Sequence, residues 1–310
     1  MERNNGLRGH VPALAPLEEA IPIQVESEFS MGNAKPKRRH AAAVQAHARL
    51  LVEPLRPGPM PRFYLPPEQC KEPVLFLTGS EAHHAVRVMR IRKKDPVTVL
   101  DGAGWEMHCI VEGYDRDKVQ LSISEKRFVP PLPYKITLLQ CLPKGKILES
   151  IIQKATELGA FRIVPLISER VVSSVVTQQE KLLKAAKWRT VAIEAIKQCG
   201  SAWLPQVEPP ATPHEFLARK EKFDLPLIAS LQKGSRHPRE YFEIYRTNQQ
   251  TPPQSLCIWV GPEGDFSPQE VELITSAGNL PISLGRLVLR TETAAIYCLS
   301  ILNYELQADG

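Results

Sequence analysis

The sequence predicts an α/β protein in two parts: a small β-rich domain and, after it, a larger domain built on a mostly parallel sheet. Three observations lead to this prediction. Short strand-like runs fill residues 60–130, three prolines fall within residues 128–133, and strand-like runs alternate with helical ones over residues 134–310. Such alternation is typical of a parallel sheet with helices on both faces. A chain of 310 residues also fits two domains, since domains usually contain ~100–200 residues.

Residues 1–59 are predicted to form a disordered or locally helical extension, because prolines recur and apolar periodicity is poor. Residues 31–51 hold five Lys or Arg and no acid, a composition that transit peptides share. The acidic residues before that stretch do not fit a transit peptide. A mis-assigned start codon is an equal alternative, because Met60 begins a well-patterned domain.

Residues 60–130 are predicted to form a small barrel of short strands. Strand-like runs at 74–77, 96–100, 107–111 and 119–123 are separated by turn residues such as Asp101 and Gly102. One helix is predicted from about Glu81 to Met89. Thr78 and Glu81 have the spacing of a capping box, with Ser80 as a rival cap.

The prolines of residues 128–133 predict an extended, fairly stiff linker. After it, helices are expected to end at Gly159 and Gly200. The predicted strands are 136–141, 163–167, 225–229, 255–260 and 280–283, and the predicted helices are 146–158, 178–199, 267–276 and 292–306. Ligands of such sheets bind at the carboxyl ends of the strands, so a site is expected there.

The bulk composition excludes several classes of protein. No run approaches the ~18 consecutive apolar residues of a membrane span. The six cysteines are far apart and mostly in apolar runs, which predicts buried free thiols in a reduced, cytoplasmic location. The eight histidines lack metal-ligand spacing, so no metal is expected. A net charge of +5 is compatible with an RNA partner but does not require one.

The first motif is Gly-Pro-Glu-Gly-Asp at residues 261–265, between a buried strand and a helix. Ser267 is a good N-cap for that helix, with Pro268 at its first position and Glu270 at its third. Backbone amides of such a turn can bind the polar edge of a ligand. The alternative is an ordinary strand-to-helix connection. The motif matches neither the Rossmann fingerprint nor a Walker A loop.

The second motif covers residues 284–295, where a glycine and two arginines precede a helix. Arg290 lies beside the helix N-terminus, where the helix dipole adds to its charge and favours an anion or developing negative charge. The alternative is a structural ion pair of Arg290 with Glu292 or Glu263.

The third motif is a basic run at residues 83–94 without any acid. On a small β domain such a run predicts contacts with nucleic-acid phosphates. The alternative is a solvated helix face, since Arg87 and Arg90 have helical spacing. The candidate RNA-binding residues are Arg87, Arg90, Arg92, Lys93 and Lys94.

Together these pieces resemble the ribosomal RNA small subunit methyltransferase E family of the SPOUT superfamily. The resemblance runs from Met60 to about Leu306 and rests on six segments in order. They are residues 84–92, Asp101-Gly102, Lys-Ala-Thr-Glu-Leu-Gly at 154–159, Glu194-Ala with Gln-Cys-Gly at 198–200, Gly-Pro-Glu-Gly at 261–264 and Leu-Arg-Thr-Glu-Thr-Ala at 289–294.

The resemblance implies a PUA-like β-barrel that binds RNA, at residues 60–130, and a SPOUT α/β methyltransferase domain with a trefoil knot, at residues 134–310. It implies a homodimer that transfers a methyl group from S-adenosylmethionine to N3 of a uridine in 16S ribosomal RNA. This reaction is a step of rRNA processing, and the partner it implies is 16S rRNA or the small ribosomal subunit. No metal and no membrane are involved.

The resemblance also implies three cofactor-binding loops, with Leu231 and Leu289 on either side of the adenine. The residues assigned to the cofactor are Ser230, Leu231, Gly261, Glu263, Gly264, Leu284, Gly285, Leu289, Thr291, Thr293 and Ala294. Arg290 is the candidate catalytic residue that stabilises the developing uridine anion. Glu292, or Glu263, would accept the proton or orient Arg290.

The sequence departs from the family at three positions. Asp265 replaces the last glycine of Gly-Pro-Glu-Gly-Gly, Leu287 replaces an arginine that precedes Arg290 by three residues, and Ser201 replaces an arginine. Arg286 would then reach RNA in place of the lost arginine. Two other functions stay open: a non-catalytic RNA-binding or ribosome-assembly protein, and a SPOUT methyltransferase that acts on another RNA.

Overall fold

The computed structural model describes residues 60–145, 147–170, 177–232 and 234–307. The predictions for residues 1–59 lie outside the described residues. The described chain contains a five-stranded sheet followed by a six-stranded sheet. This confirms the predicted fold class, in which a β-rich part precedes an α/β part.

The β-rich part is one sheet with the strand order β1-β3-β4-β5-β2. β1 and β3 are parallel and the other pairs are antiparallel. All predicted strands are present, β4 and β5 are longer than predicted, and β1 was not predicted. The strands are β1 (Arg62–Tyr64), β2 (Val74–Thr78), β3 (Pro96–Leu100), β4 (Trp105–Tyr114) and β5 (Lys118–Phe128).

The long β4–β5 pair curls over an apolar core. Its register shifts between His108 and Cys109 and again between Val111 and Gly113, and such bulges bend strands and increase their twist. Every strand contributes fully buried side chains to this core, among them Phe63, Leu77, Val99, Met107 and Leu121. Burying a side chain of this size stabilises the fold by about 1.5–3 kcal/mol.

The helix of the β-rich part begins near the predicted position but is capped differently. α1 (Gly79–His83) continues into a π-helical turn (His84–Val88). Thr78 is its N-cap residue, yet the Thr78 side chain makes no cap hydrogen bond. The Glu81 carboxylate instead accepts from the backbone N–H of Tyr64 at 3.2 Å and from Lys197 Nζ at 2.8 Å. The predicted capping box is therefore wrong, because distant partners occupy Glu81.

The α/β part is a six-stranded sheet with the order β11-β9-β10-β6-β7-β8, and all its pairs are parallel. The central strand is buried from Leu256 to Val260, as expected for a strand covered on both faces. The short β8 was not predicted. The strands are β6 (Lys135–Cys141), β7 (Arg162–Leu166), β8 (Gln206–Val207), β9 (Leu225–Ala229), β10 (Ser255–Val260) and β11 (Leu280–Ile282).

Helices cover both faces of this sheet, as predicted. In β10, Leu256 and Ile258 belong to the core on one face, whereas Cys257 and Trp259 belong to the core on the other. The first face is covered by α2 (Ile147–Glu157), α3 (Gln178–Cys199), α5 (Pro238–Gln249) and α7 (Thr291–Gln307), and the second by α4 (Pro213–Leu217) and α6 (Pro268–Ser276). α4 and α5 were not predicted.

The predicted helix signals at α3 and α6 are confirmed. Gly200 ends α3 in the left-handed region at φ 81°, where a side chain is strained. Ser267 accepts from the N–H of Glu270 while Glu270 accepts from the N–H of Ser267, which is a complete capping box, and Pro268 follows as the first helical residue. These local signals fix where α6 begins, directly after the turn that carries the first motif.

A buried ion pair joins the β-rich part to α3. Lys197 Nζ lies 2.8 Å from Glu81 Oε1 and 2.9 Å from Glu194 Oε1, and the Lys197 side chain is only 6% exposed. Burial lowers the pKa of Lys197, but the hydrogen bonds that Lys197 donates to Glu81 and Glu194 outweigh it and raise that pKa above its ordinary value. Arg189 adds a 2.9 Å hydrogen bond to the Tyr64 hydroxyl.

The cysteines are free thiols, as predicted. Burial raises the pKa of Cys109 and of Cys257 to about 12, so these thiols stay protonated and unreactive at neutral pH. Cys199 is exposed at the end of α3, which differs from the predicted burial. Within the described ranges no helix is long and apolar enough to cross a membrane, and no group of His, Cys, Asp and Glu could hold a metal ion.

Candidate functional site

A cavity of about 460 Å³ opens at the carboxyl ends of β9, β10 and β11. Three loops line it, each following one of these strands: the first loop (residues 230–232 and 234–235), the second loop (residues 261–266) and the third loop (residues 283–290). The first residues of α7 complete the wall. The cavity lies at the carboxyl ends of parallel strands, where the sequence led us to expect a site.

The first loop is held to the sheet edge by its backbone. The N–H of Ser230 donates to the carbonyl of Ile282 at 3.1 Å. The Ser230 hydroxyl accepts from the N–H of Gln232 at 3.2 Å, and Ser235 donates back to the carbonyl of Ser230. Leu231 is 64% exposed and lines the cavity. The loop therefore presents one large apolar side chain on a fixed backbone.

The second loop is a tight turn with crowded backbone atoms. The N–H of Asp265 donates to the carbonyl of Pro262 at 2.9 Å. A Cβ atom at Gly261 would lie 2.9 Å from Asp265 Oδ1 and 3.1 Å from the backbone N of Phe266. The turn thus requires glycine at position 261 because any side chain would collide with the turn itself.

Two neighbouring segments support the second loop. The Glu263 carboxylate accepts from the backbone N–H of Lys144 at 2.9 Å. Arg170 donates to the carbonyl of Gly264, and the N–H of Glu169 donates to the Glu270 carboxylate at 2.9 Å. The loops that follow β6 and β7 therefore brace the turn from outside the cavity.

Asp265 adopts the left-handed conformation that glycine adopts freely. Its φ is 61°, a region that Asp and Asn tolerate better than other side chains. Its carboxylate accepts from the N–H of Phe266 at 2.8 Å and from the N–H of Leu231 at 3.4 Å. Asp265 therefore bridges the second loop to the first.

The third loop exposes apolar side chains next to the cavity. Leu287 is 78% exposed and Val288 is 75% exposed, and both line the cavity. Gly285 has φ 108°, which only glycine adopts readily. Its N–H donates to the Ser283 hydroxyl at 3.3 Å.

Thr291 ties the third loop to the second. Thr291 is the first residue of α7, is 3% exposed and lines the cavity. Its hydroxyl donates to the carbonyl of Gly261 at 2.7 Å and accepts from Gln140 Nε2 at 2.9 Å. Gln140 is fully buried in β6. The contact network thus joins β6, the Gly261 turn and the start of α7.

The cavity brings together most, but not all, of the residues that were assigned to the cofactor. Gly264, Thr293 and the two candidate catalytic residues do not line it. The predicted residues that do are Ser230, Leu231, Gly261, Glu263, Leu284, Gly285, Leu289, Thr291 and Ala294, together with Arg286. The lining also includes Gln232, Ser235, Ser283 and Val288, which could have been found from the same loops by their position after the strands.

Arg290 lies at the rim, directly before α7. It is exposed, and its carbonyl accepts from the N–H of Ala294 at 2.8 Å. Its guanidinium has no ion-pair or hydrogen-bond partner among the residues that the structure describes. The Glu263 carboxylate accepts from the backbone N–H of Lys144 instead. The alternative, a structural ion pair of Arg290 with Glu292 or Glu263, is not observed. The charge of Arg290 faces solvent beside the helix N-terminus, and Glu292 is half-buried.

The basic run is exposed, but its backbone differs from the prediction. The π-helical turn ends at Val88, and Arg90 has φ 53°, so Arg87 and Arg90 do not share a helical face. Lys94 also has a positive φ, of 72°, and its N–H donates to the carbonyl of Val111 at 2.7 Å. The exposed side chains are Arg87, Arg90, Arg92, Lys93 and Lys94.

Known proteins resemble both parts of the chain. Residues 130–303 match the family model of the RNA methyltransferase domain, and residues 77–124 match that of the RNA methyltransferase PUA domain. The ribosomal RNA small subunit methyltransferase E of Bacillus subtilis is 32% identical over 80% of this chain and 98% of its own length. The protein of that name from Synechocystis is 33% identical over 80% of this chain and 78% of its own length.

Solved structures agree with these similarities. A methyltransferase from Legionella pneumophila, in complex with the cofactor SAM, has a TM-score of 0.71 and 33% identity over 81% of this chain and 98% of that one. A ribosomal RNA small subunit methyltransferase E from Neisseria gonorrhoeae, bound to S-adenosyl methionine, has a TM-score of 0.68 and 27% identity over 79% of this chain and 98% of that one. The chain therefore belongs to the ribosomal RNA small subunit methyltransferase E family of RNA methyltransferases.

Proposed function

We propose that the chain transfers a methyl group from S-adenosylmethionine to N3 of a uridine in 16S ribosomal RNA. The observation that carries this proposal is the cavity at the carboxyl ends of β9, β10 and β11, with the exposed Arg290 between the lining residues Leu289 and Thr291. Membership of the family supports ribosomal RNA of the small subunit as the substrate class. The N3 position rests on the resemblance described above.

The residues of the cavity fit the proposed cofactor. A volume of about 460 Å³ lies within the ~300–1,000 Å³ of small-molecule sites. Leu231 and Leu289 supply apolar surface for the adenine, and the crowded turn at Gly261 brings backbone atoms to the cavity wall. The relatives from Legionella and Neisseria hold the same cofactor. When bound, S-adenosylmethionine supplies the electrophilic methyl group.

The chemistry at the rim follows from the charge of Arg290. The uridine N3 proton is weakly acidic, so attack by N3 requires that negative charge on the base be stabilised. A guanidinium beside the N-terminus of α7 favours that charge. Glu292, two residues further on, is the candidate that accepts the proton. The target base leaves its stack to reach the cavity.

The RNA is held by the basic run of the β-rich part together with Arg286. Arg87, Arg90, Arg92, Lys93 and Lys94 are exposed, and free cations of this kind contact phosphates without reading sequence. Arg286 lines the cavity, so it lies close enough to contact the backbone beside the target base. We assign these residues to RNA binding.

We also propose a homodimer, a knotted arrangement of the cofactor loops and a cytoplasmic location. The exposed apolar side chains of Leu287 and Val288 support a second protein or RNA surface beside the cavity. Light scattering coupled to size exclusion tests the dimer, because a mass of one chain at micromolar concentration would contradict it.

The test is methylation of small-subunit ribosomal RNA by purified Arg290→Ala protein. We expect loss of methyl transfer by about a hundredfold or more, in the range of a removed transition-state charge partner, with unchanged binding of cofactor and RNA. Lys184→Ala, which removes an exposed cation from α3, is the matched control and keeps full activity. Calorimetry showing that wild-type protein does not bind S-adenosylmethionine would favour the non-catalytic RNA-binding alternative.

A further inference from the structure

We infer that Asp265 makes the cavity prefer the positively charged cofactor over its neutral-sulfur product. This inference rests on the proposed function, because it concerns the same cavity. Asp265 lines the cavity, and its carboxylate joins the second loop to the first.

The geometry holds the carboxylate in one place. Asp265 is half-buried, and its two oxygens accept from the N–H groups of Phe266 and Leu231 at 2.8 and 3.4 Å. One of these donors lies in the second loop and the other in the first. The cavity thus carries a fixed negative charge between two of its three loops.

The charge balance of the lining favours a cation. Among the described residues that line the cavity, the acidic and basic side chains are Glu263, Asp265 and Arg286. Arg286 is exposed, and Glu263 is also exposed with its carboxylate turned to the backbone of Lys144. Asp265 is the acid that is both half-buried and shared between loops.

The reaction changes the charge of the bound ligand. S-adenosylmethionine carries a sulfonium, whereas S-adenosylhomocysteine, which is left after methyl transfer, carries a neutral thioether. A fixed carboxylate in the cavity attracts the first and has no equivalent charge to attract in the second. Asp265 therefore favours binding of the substrate and release of the product.

Calorimetry on the full-length protein tests this inference with three ligands: S-adenosylmethionine, S-adenosylhomocysteine and sinefungin, whose charged amine replaces the methylsulfonium. In Asp265→Asn we expect the affinity for both cationic ligands to fall about tenfold, which corresponds to about 1.4 kcal/mol. The affinity for S-adenosylhomocysteine should change by less than about threefold. Asp265→Gly, which relieves the positive φ, should change the ratio of the S-adenosylmethionine affinity to the S-adenosylhomocysteine affinity by the same factor.

If Asp265 had a purely structural role, its substitution would weaken the binding of all three ligands equally, and that result would overturn the inference. Unchanged affinities for all three ligands would overturn it as well. Asp117→Asn, which removes an exposed carboxylate from the turn between β4 and β5, is the matched control and should leave the ratio unchanged. If the wild-type protein binds none of the three ligands, the proposed function itself fails. The two failures are thereby distinguished.

Discussion

Replacing Thr291 with valine should lower both the stability of the protein and its affinity for the cofactor. The Thr291 hydroxyl is buried, donates to the Gly261 carbonyl at 2.7 Å and accepts from Gln140 Nε2 at 2.9 Å. Valine keeps the shape but removes both hydrogen bonds. At about 0.5–1.5 kcal/mol for each bond, the free energy of unfolding should fall by about 1–3 kcal/mol.

Urea denaturation with and without S-adenosylmethionine measures this effect. With a slope of about 3 kcal/mol per M, the midpoint of unfolding should fall by about 0.3–1 M. Because the second and third loops lose their tie, cofactor affinity should fall by about tenfold, which is about 1.4 kcal/mol. Calorimetry gives the affinity directly.

Thr291→Ser is the matched control, since it keeps the hydroxyl and removes only a methyl group. It should bind the cofactor within about threefold of the wild-type protein, while its stability falls by roughly the 0.8 kcal/mol of one buried methylene group. A valine variant with the wild-type urea midpoint and the wild-type cofactor affinity would refute the reasoning, because the hydroxyl would then tie nothing.

The remaining predictions concern the junction and the basic run. Lys197→Met leaves Glu81 without its buried partner and should lower the free energy of unfolding by about 3–5 kcal/mol. Lys187→Met breaks the exposed pair with Glu149 and should lower it by about 1 kcal/mol or less. Equal losses for the two variants in urea denaturation would contradict the argument from burial. The pKa of Lys197 is raised in the folded protein. Its contribution to the free energy of unfolding is therefore complete below the ordinary pKa of 10.5 and disappears as the pH rises through the folded value. Above pH 10.5 the wild-type protein should lose more stability than Lys197→Met. Arg87→Ala should reduce the slope of log affinity for RNA against log salt by about 0.7–0.9, and an unchanged slope would remove Arg87 from the RNA surface.

Local patterns predicted most of the fold because the physical signals are themselves local. The strand β10 is a short apolar run buried on both faces, and α6 begins at a serine, proline and glutamate in capping-box order. Gly200 ends α3 because a left-handed residue was needed there. In each case the residues that determine the element lie within the element or next to it.

The errors come from contacts between residues far apart in the sequence. The spacing of Thr78 and Glu81 fits a capping box, but Glu81 binds Lys197, which lies on α3. The helix α5 was missed because its sequence is mostly polar and only Pro238 and Phe242 are buried. The strand β1 has three residues and depends on pairing with β3.

The candidate site was predictable in its loops but less so in its side chains. The strand order brings three loops together, which the position of each motif after a strand already indicated. The sequence did not show that Thr291 binds the carbonyl of Gly261 or that Asp265 joins two loops. Nor did it show that the Glu263 carboxylate accepts from the backbone N–H of Lys144. These contacts depend on the distance between loops, which motif spacing does not define.

The measurement that tests the central claim most directly is nucleoside mapping of 16S ribosomal RNA from cells with and without this gene. The account predicts that one N3-methyluridine disappears when the gene is deleted and returns with the wild-type gene but not with Arg290→Ala. An unchanged methyluridine pattern, or the loss of a different methylated nucleoside, would contradict it.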